Sequence, residues 1–259
     1  MNFAATADGT RLAWRSDGSG SPLLLIAGQA TALTGWEPIV PSLAETFQVI
    51  RFDHRGVGTS DDGPTGHLRT RDFAADALAI LDAAGVERAH IYGHSMGGRV
   101  AQWLAIDHPD RVGALILAAT SAGGFLGKNR DPDATRALTS GDPAQLEPLF
   151  FDADWAAAHS SAVRTFFTSR ASKQAKRRHF RASTEHDARN LLGSVQAPTL
   201  ILHGTNDPLT PLDNALALRE LIPHSMLVKI VNGRHGFHLD HPETVDWIRR
   251  FVARKAPHL

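Results

Sequence analysis

Short apolar runs, typical of buried strands, alternate along this chain with stretches in which apolar residues recur at helical spacing. The apolar runs at 23–26, 48–52, 89–92, 114–118, 199–202 and 226–231 predict strands. The helical spacing at 36–44, 71–84, 99–106, 212–221 and 244–253 predicts helices between or after them. Such alternation is typical of an α/β fold, with a mostly parallel central sheet and helices on both of its faces.

Two parts of the chain depart from this alternation. Residues 11–15 follow the turn Ala7-Asp8-Gly9-Thr10, which predicts an antiparallel start before the first buried strand. Residues 123–194 are helical and polar in pattern, with scattered aromatic residues and no run comparable to the core strands. We therefore predict a core domain of residues 1–122 and 195–259 and a helical cap of residues 123–194, with Gly123-Gly124 as a hinge.

Composition narrows the range of partners. The 259 residues are 42% hydrophobic, which allows a large buried core in one α/β domain or two small ones. Lys+Arg and Asp+Glu both total 27, so the zero formal charge gives no electrostatic case for nucleic acid or an anionic membrane. A small neutral substrate fits better, and self-association into a homo-oligomer stays open.

The chain has no cysteine, which removes disulfides, thiolate metal sites and cysteine nucleophiles. The first residues lack a basic region followed by an apolar run, so we expect no signal peptide. No apolar stretch approaches the roughly 18 residues that suggest a membrane span. These observations predict a cytoplasmic protein without a membrane partner.

The stretch from Ala89 to Gly98 contains the best candidate for a catalytic nucleophile. Ser95 stands in the pattern Gly93-x-Ser95-x-Gly97, where a predicted strand breaks directly into a predicted helix. A strand that reverses into a helix within a few residues needs glycines, and it exposes the serine hydroxyl in front of the amide of Met96. The alternative is a glycine-rich turn with an inert hydroxyl, so the pattern needs catalytic partners.

A serine hydroxyl needs a base, and the base needs a group that orients it. Two later predicted strands end in such residues, because Leu202 leads to Asp207 and Val231 leads to His235. Loops at the carboxyl ends of parallel strands meet at one edge of a sheet. The rivals are His238 and His241 for the base, with His238 preferred of the two, and Asp53 and Asp213 for the carboxylate.

Hydrolysis of an acyl compound also needs hydrogen-bond donors for the developing oxyanion. The Met96 amide provides one such donor. We expect the second from the amide of Gln29, in the loop after the first buried strand, where Gly28 allows the chain to turn.

The chain resembles α/β-hydrolase fold enzymes over nearly its whole length, through Gly93 to Gly98, Asp53 to Ser60, Gly204 to Asp207 and Gly233 to His235. Within that superfamily it is similar to a bacterial group containing 3-oxoadipate enol-lactonases and aclacinomycin methylesterases. The resemblance implies Ser95 as nucleophile, His235 as base and Asp207 as its orienting group, with no cofactor. Serine at position 95 argues against the dehalogenase and epoxide hydrolase branches. One departure is Ala27-Gly28, where many members have His-Gly.

These observations predict a cofactor-independent serine hydrolase that cleaves a carboxylic ester or lactone through an acyl-enzyme on Ser95. The alternatives are a carbon–carbon bond hydrolase, lyase or cofactor-free oxygenase on the same scaffold, and a ligand-binding receptor. Two roles stay open for Arg99: contact with substrate, or pairing with a carboxylate. The basic residues between 173 and 181 are interpreted as the solvent-exposed face of a helix. The predicted substrate contacts are Gly28, Trp36, His94, Phe125, Phe150, Phe151 and Trp155.

Overall fold

The computed structural model describes residues 1–124, 127–168 and 170–256. Its strands are β1 (Asn2–Ala5), β2 (Arg11–Asp17), β3 (Ser21–Ile26), β4 (Phe47–Phe52), β5 (Ala89–His94), β6 (Val112–Ala118), β7 (Thr199–Gly204) and β8 (Met226–Ile230). Within the described residues they form one sheet in the order β1-β2-β4-β3-β5-β6-β7-β8.

The α-helices are α1 (Val40–Ala44), α2 (Thr70–Ala83), α3 (Met96–Asp107), α4 (Pro132–Ser140), α5 (Pro143–Phe150), α6 (Ala153–Ala158), α7 (Ser160–Phe167), α8 (Lys173–Thr184), α9 (Asp213–Leu221), α10 (Phe237–Asp240) and α11 (Glu243–Lys255). Short 3₁₀ helices lie at Leu33–Trp36, Pro109–Arg111 and Leu192–Ser194. In the described ranges, none of the helices combines the length and apolar character needed to cross a membrane.

The sheet confirms the predicted α/β fold. β2 pairs antiparallel with both β1 and β4, whereas every other neighbouring pair is parallel. Leu24 of β3 belongs to an apolar cluster with residues of α2 and α3. Leu23, the preceding residue, belongs to a second cluster with residues of α1 and α11. The central strands are continuously apolar because both of their faces are covered by helices.

The helix predicted over 36–44 is confirmed only over residues 40–44. The structure has a 3₁₀ helix at Leu33–Trp36, a turn, and then α1. In a continuous helix from residue 36, Pro41 would lie beyond the first turn, and without a backbone N–H it could not donate the hydrogen bond needed there. Pro41 is tolerated within the first turn of α1, where backbone donors have no helical partner in any case.

The helices α4 to α8 lie between β6 and β7, and we call residues 123–194 the cap segment. Gly123 and Asp187 form an antiparallel bridge that brings the two ends of this segment together. Phe150 and Phe166 of the cap segment belong to the same apolar cluster as Leu25 of the sheet. The helices predicted here are therefore present, and the division into core and cap domains stays a prediction.

Candidate active site

The sheet register places the proposed nucleophile beside the proposed oxyanion loop. In the parallel pair β3–β5, Ile26 lies opposite Gly93, so the segments after both strands leave the sheet at the same level. Ser95 follows β5 directly, and Gly28 and Gln29 follow β3. Asp207 and His235 follow β7 and β8 at the same edge, as expected for the carboxyl ends of parallel strands.

Ser95 has a strained backbone, with φ +56° and ψ −118°, a conformation that a residue with a side chain rarely adopts. Its amide donates to the Ala118 carbonyl at 2.9 Å, and its carbonyl accepts from Thr120 Oγ1 at 2.7 Å. The turn is also tightly packed, because a Cβ on Gly97 would lie 2.0 Å from the Ile26 carbonyl oxygen. The surroundings thus hold the serine in the sharp turn between strand and helix.

The structure brings Ser95, His235 and Asp207 together in one line of hydrogen bonds. Ser95 Oγ lies 2.9 Å from His235 Nε2 and donates to it. His235 Nδ1 lies 2.8 Å from Asp207 Oδ2 and donates to that carboxylate. His235 and Asp207 are buried. With Nδ1 as the donor, Nε2 is left as the acceptor that a general base requires.

Asp207 is held as a carboxylate despite its burial. Its second oxygen, Oδ1, accepts from the amides of Leu209 at 2.9 Å and Thr210 at 2.8 Å. Burial raises the pKa of the carboxyl, but the charge and hydrogen bond of His235 outweigh it and leave the pKa below its usual value. The rival Asp53 instead accepts from the amides of Leu33 and Thr59, away from His235.

The loop after β8 crosses over the end of β7 and places His235 beside Ser95. A Cβ on Gly204 would lie 2.2 Å from the Gly233 carbonyl oxygen, so this crossing requires glycine at 204. The His235 amide donates to the Leu149 carbonyl, at the end of α5, at 3.2 Å. Its own carbonyl accepts from His94 Nε2 at 2.8 Å. Burial, and then the charge of His235, lowers the pKa of His94 to about 3, so this donor stays neutral.

The two proposed oxyanion donors have their amides available. Among the described residues, neither the Gln29 nor the Met96 amide has a hydrogen-bond partner. Met96 is the first residue of α3, where the orientation of the backbone amides favours negative charge. Free amides next to a nucleophile can bind an oxyanion.

Two buried histidines hydrogen-bond to the proposed oxyanion loop, which has Ala27 where many members of the family have histidine. His54 Nε2 donates to the Ala27 carbonyl at 3.1 Å, and the Ala30 amide donates to His179 Nδ1 at 3.1 Å. Burial lowers the pKa of His54 to about 4 and that of His179 to about 3, so both act as neutral hydrogen-bonding groups. His179 lies on α8, so the cap segment contacts this loop directly. The sequence analysis missed it, because nothing in the local pattern links residue 179 to residue 30.

A small cavity of about 30 Å³ is lined by Ser95 and His235 and continues towards two larger chambers. One chamber of about 240 Å³ shares Gln29, Thr31, Leu138 and Phe150 with it and is mostly apolar. The other chamber, of about 260 Å³, shares Arg99, Arg130, Ser183, Leu209 and Thr210 with it. We call these the apolar chamber and the arginine chamber.

Of the predicted substrate contacts, Gly28, His94 and Phe150 line the cavity at Ser95, and Phe125 lies outside the described residues. Trp36, Phe151 and Trp155 line neither that cavity nor its two chambers, and contact of these three residues with substrate stays a prediction. Their rings are used for packing, since Trp36 contacts Tyr92 and His238, Phe151 contacts Phe166, and Trp155 stacks on His159.

Comparison with known proteins identifies the family of this chain. Residues 21–242 match the family model described as "alpha/beta hydrolase fold". The chain belongs to the α/β-hydrolase fold family. It is 32% identical over 231 residues to a protein named "Putative carbamate hydrolase RutD" from Azorhizobium caulinodans, covering 85% of this chain and 86% of that one.

Similar solved structures have the same fold. The enol-lactonase from Burkholderia xenovorans LB400 is 26% identical, with a TM-score of 0.84 over 97% of this chain and 100% of that one. Est816, titled an N-acyl homoserine lactone degrading enzyme, is 29% identical, with a TM-score of 0.82 over the same shares. No group of three or more His, Cys, Asp or Glu side chains in the described parts of the chain is arranged to hold a metal ion.

Proposed function

We propose that this α/β-hydrolase fold protein is a cofactor-independent serine hydrolase of carboxylic esters or lactones. The observation that carries the proposal is the continuous line of hydrogen bonds from Ser95 through His235 to Asp207, beside the unpaired amides of Gln29 and Met96. A nucleophile, an oriented base and an oxyanion site in one cavity are the parts that acyl transfer requires.

In the first half of the reaction, Ser95 Oγ attacks the carbonyl carbon while its proton moves to His235 Nε2. Asp207 stabilises the imidazolium that forms. The negative oxygen of the tetrahedral intermediate accepts hydrogen bonds from the amides of Gln29 and Met96. The carbon–oxygen bond to the alcohol then breaks, and His235 returns its proton to the departing oxygen. The acyl group is left on Ser95.

In the second half, a water molecule gives a proton to His235 Nε2 and attacks the acyl carbon. The intermediate collapses, the bond to Ser95 Oγ breaks, and that oxygen recovers the proton from His235. A carboxylic acid leaves the site. With a lactone, the alcohol produced in the first half stays covalently attached to the acyl group, so the single product is a hydroxy acid.

The similar proteins favour oxygen esters within this class. The titles of two similar structures name an enol-lactonase and an enzyme that degrades N-acyl homoserine lactone. The name of a relative favours a second candidate, a carbamate, whose carbonyl carbon Ser95 would attack in the same way. The two candidates differ in the group attached to the carbonyl carbon, so one substrate panel separates them.

The test is hydrolysis of matched 4-nitrophenyl esters, lactones and 4-nitrophenyl carbamates by the wild-type protein, Ser95→Ala and Ser42→Ala. Ser42 is an exposed serine, so its variant controls for loss of a hydroxyl elsewhere. We expect Ser95→Ala to abolish hydrolysis and labelling by a fluorophosphonate probe, while Ser42→Ala keeps both. Full activity in Ser95→Ala would reject the mechanism. Tight product retention without turnover would favour a receptor, and product analysis would identify cleavage of a carbon–carbon bond.

A further inference from the structure

Arg99 and Arg130 line both the cavity at Ser95 and the arginine chamber. Arg99 lies on α3, one turn after Ser95, and Arg130 precedes α4 at the start of the cap segment. Both side chains are partly buried. Two guanidinium groups from separate parts of the chain therefore face the same space beside the nucleophile.

Neither guanidinium is neutralised by a carboxylate among the described residues. Arg99 donates to the Ser183 carbonyl and hydroxyl, both at 2.5 Å, and to Ser121 Oγ at 3.1 Å. Its Nε is buried without a hydrogen-bond partner. The contrast is Arg55, another buried arginine, which makes a two-point contact with the Asp76 carboxylate at 2.6 and 2.7 Å. Arg99 thus has only neutral partners, and these take three of its five N–H donors.

In the arginine chamber, burial and the repulsion between Arg99 and Arg130 both make the charged forms of these side chains unfavourable in the absence of an anion. Burial, and then the charge of Arg130, lowers the pKa of Arg99 to about 10. Burial also lowers the pKa of Arg130, and the Asp207 charge opposes that change. Both groups remain protonated at neutral pH. Asp207 is not paired with either arginine: its oxygens accept from His235, Leu209 and Thr210, and its ion pairs are with His203 and His235. Among its described lining residues, the arginine chamber has no acidic side chain.

The apolar chamber differs in lining from the arginine chamber. Most of its lining consists of aromatic and aliphatic side chains of the cap segment, among them Leu138, Leu146, Phe150, Phe166, Phe167 and Phe180, and the exposed Lys176 and Arg177 also line it. Ser95 lies in the small cavity that adjoins both chambers. The two chambers therefore differ: one is mostly apolar, with two exposed basic residues in its lining, and the other contains the two partly buried arginines.

We propose that the substrate hydrolysed at Ser95 carries a carboxylate that binds to Arg99 and Arg130, and an apolar group that fills the apolar chamber. A guanidinium presents parallel N–H donors that match a carboxylate, and such charge-assisted pairs are strong in a site shielded from water. This inference rests on the proposed function and names the class of ester or lactone: one with a free acid group at the end away from its apolar part.

The first experiment compares substrates that differ only in charge. One pair carries the group on the acyl side, as 4-nitrophenyl hydrogen adipate and its primary amide. A second pair carries it on the alcohol side, as the phenylacetyl esters of glycolic acid and glycolamide. Each enzymatic rate is divided by the spontaneous rate of the same ester. We expect kcat/KM for the acid to exceed that for the amide by about 10- to 100-fold in one of the pairs, mainly through KM. A ratio near one in both pairs overturns the inference.

The second experiment removes the charge. Arg130→Gln should reduce the acid-to-amide ratio towards one, and Arg130→Lys should keep part of it. Arg164→Gln removes the same charge from an exposed position on α7 and should leave the ratio at its wild-type value. Arg99 has structural hydrogen bonds, so Arg130 carries the test if an Arg99 variant fails to fold. A ratio that survives Arg130→Gln contradicts the inference.

The third experiment separates this inference from the proposed function. Binding of the acid and the amide of each pair to Ser95→Ala protein is measured by calorimetry, which needs no turnover. Tighter binding of the acid that is lost on adding Arg130→Gln supports the carboxylate site even if the reaction at Ser95 proves to be another one. Equal binding of acid and amide overturns it even if Ser95 proves to be an esterase nucleophile.

Discussion

His90 should lower the free energy of unfolding of the protein in acid, and the size of this loss follows from the pKa of the buried side chain. The side chain lies in β5 and is fully buried, and neither ring nitrogen has a hydrogen-bond partner among the described residues. Burial, and then the charge of Arg88, lowers the pKa of His90 to about 4. In the unfolded chain, the pKa of a histidine is about 6.5.

The pKa of His90 is lower in the folded protein than in the unfolded chain. As the pH falls below about 6.5, the unfolded chain therefore binds a proton at His90 that the folded protein does not bind. The proton-linked cost of His90 is therefore zero at pH 8, and it grows as the pH falls towards the folded pKa of about 4. At about 1.4 kcal/mol for each pH unit between the two pKa values, the loss is about 2 kcal/mol at pH 5 and about 3 kcal/mol below pH 4. His90→Leu removes this proton site and keeps a buried apolar side chain.

The assay is urea unfolding of the wild-type protein, His90→Leu and Ile91→Val at pH 8 and pH 5. We expect the free energy of unfolding of His90→Leu, relative to wild type, to rise by about 2 kcal/mol from pH 8 to pH 5. Ile91→Val, a buried non-titrating change in the same strand, should cost about 0.5–1.5 kcal/mol at both pH values. If His90→Leu differs from wild type by the same amount at both pH values, the reasoning about the buried ring is refuted.

Three further predictions concern the candidate site. Asp207→Asn should lower kcat by about 10⁴-fold in an ester assay, as measured for the equivalent change in a serine protease, because the amide favours the wrong tautomer of the base; near-normal kcat would contradict its role. His179→Ala removes the acceptor of the Ala30 amide, and we expect it to lower kcat about 2- to 10-fold with little change in KM. A change confined to KM would contradict a role of His179 in positioning the proposed oxyanion loop. Gly97→Ala should destabilise the protein by about 3 kcal/mol in urea unfolding, because its Cβ would meet the Ile26 carbonyl; wild-type stability would disprove that clash.

Much of the fold follows from local patterns. The central strands, such as residues 23–26 and 114–118, are recognisable because both of their faces are buried, so the whole run is apolar. The helix predicted over 36–44 begins only at residue 40, although the apolar spacing is helical throughout. Pro41 lacks the backbone donor that a helix from 36 would need, and the effect of a missing hydrogen bond is not part of an apolar pattern.

The sequence by itself determined where Ser95, Asp207 and His235 would lie, because each follows a predicted strand and the ends of parallel strands meet at one edge of the sheet. Only the tertiary structure decided which other side chains share that edge. Sequence patterns do not show that His179 supports the proposed oxyanion loop from the cap segment, that Arg130 joins Arg99 beside the nucleophile, or that Trp36 packs against Tyr92. The physical reason is that these contacts join residues far apart in the chain, and a residue's type does not reveal which cavity its side chain faces.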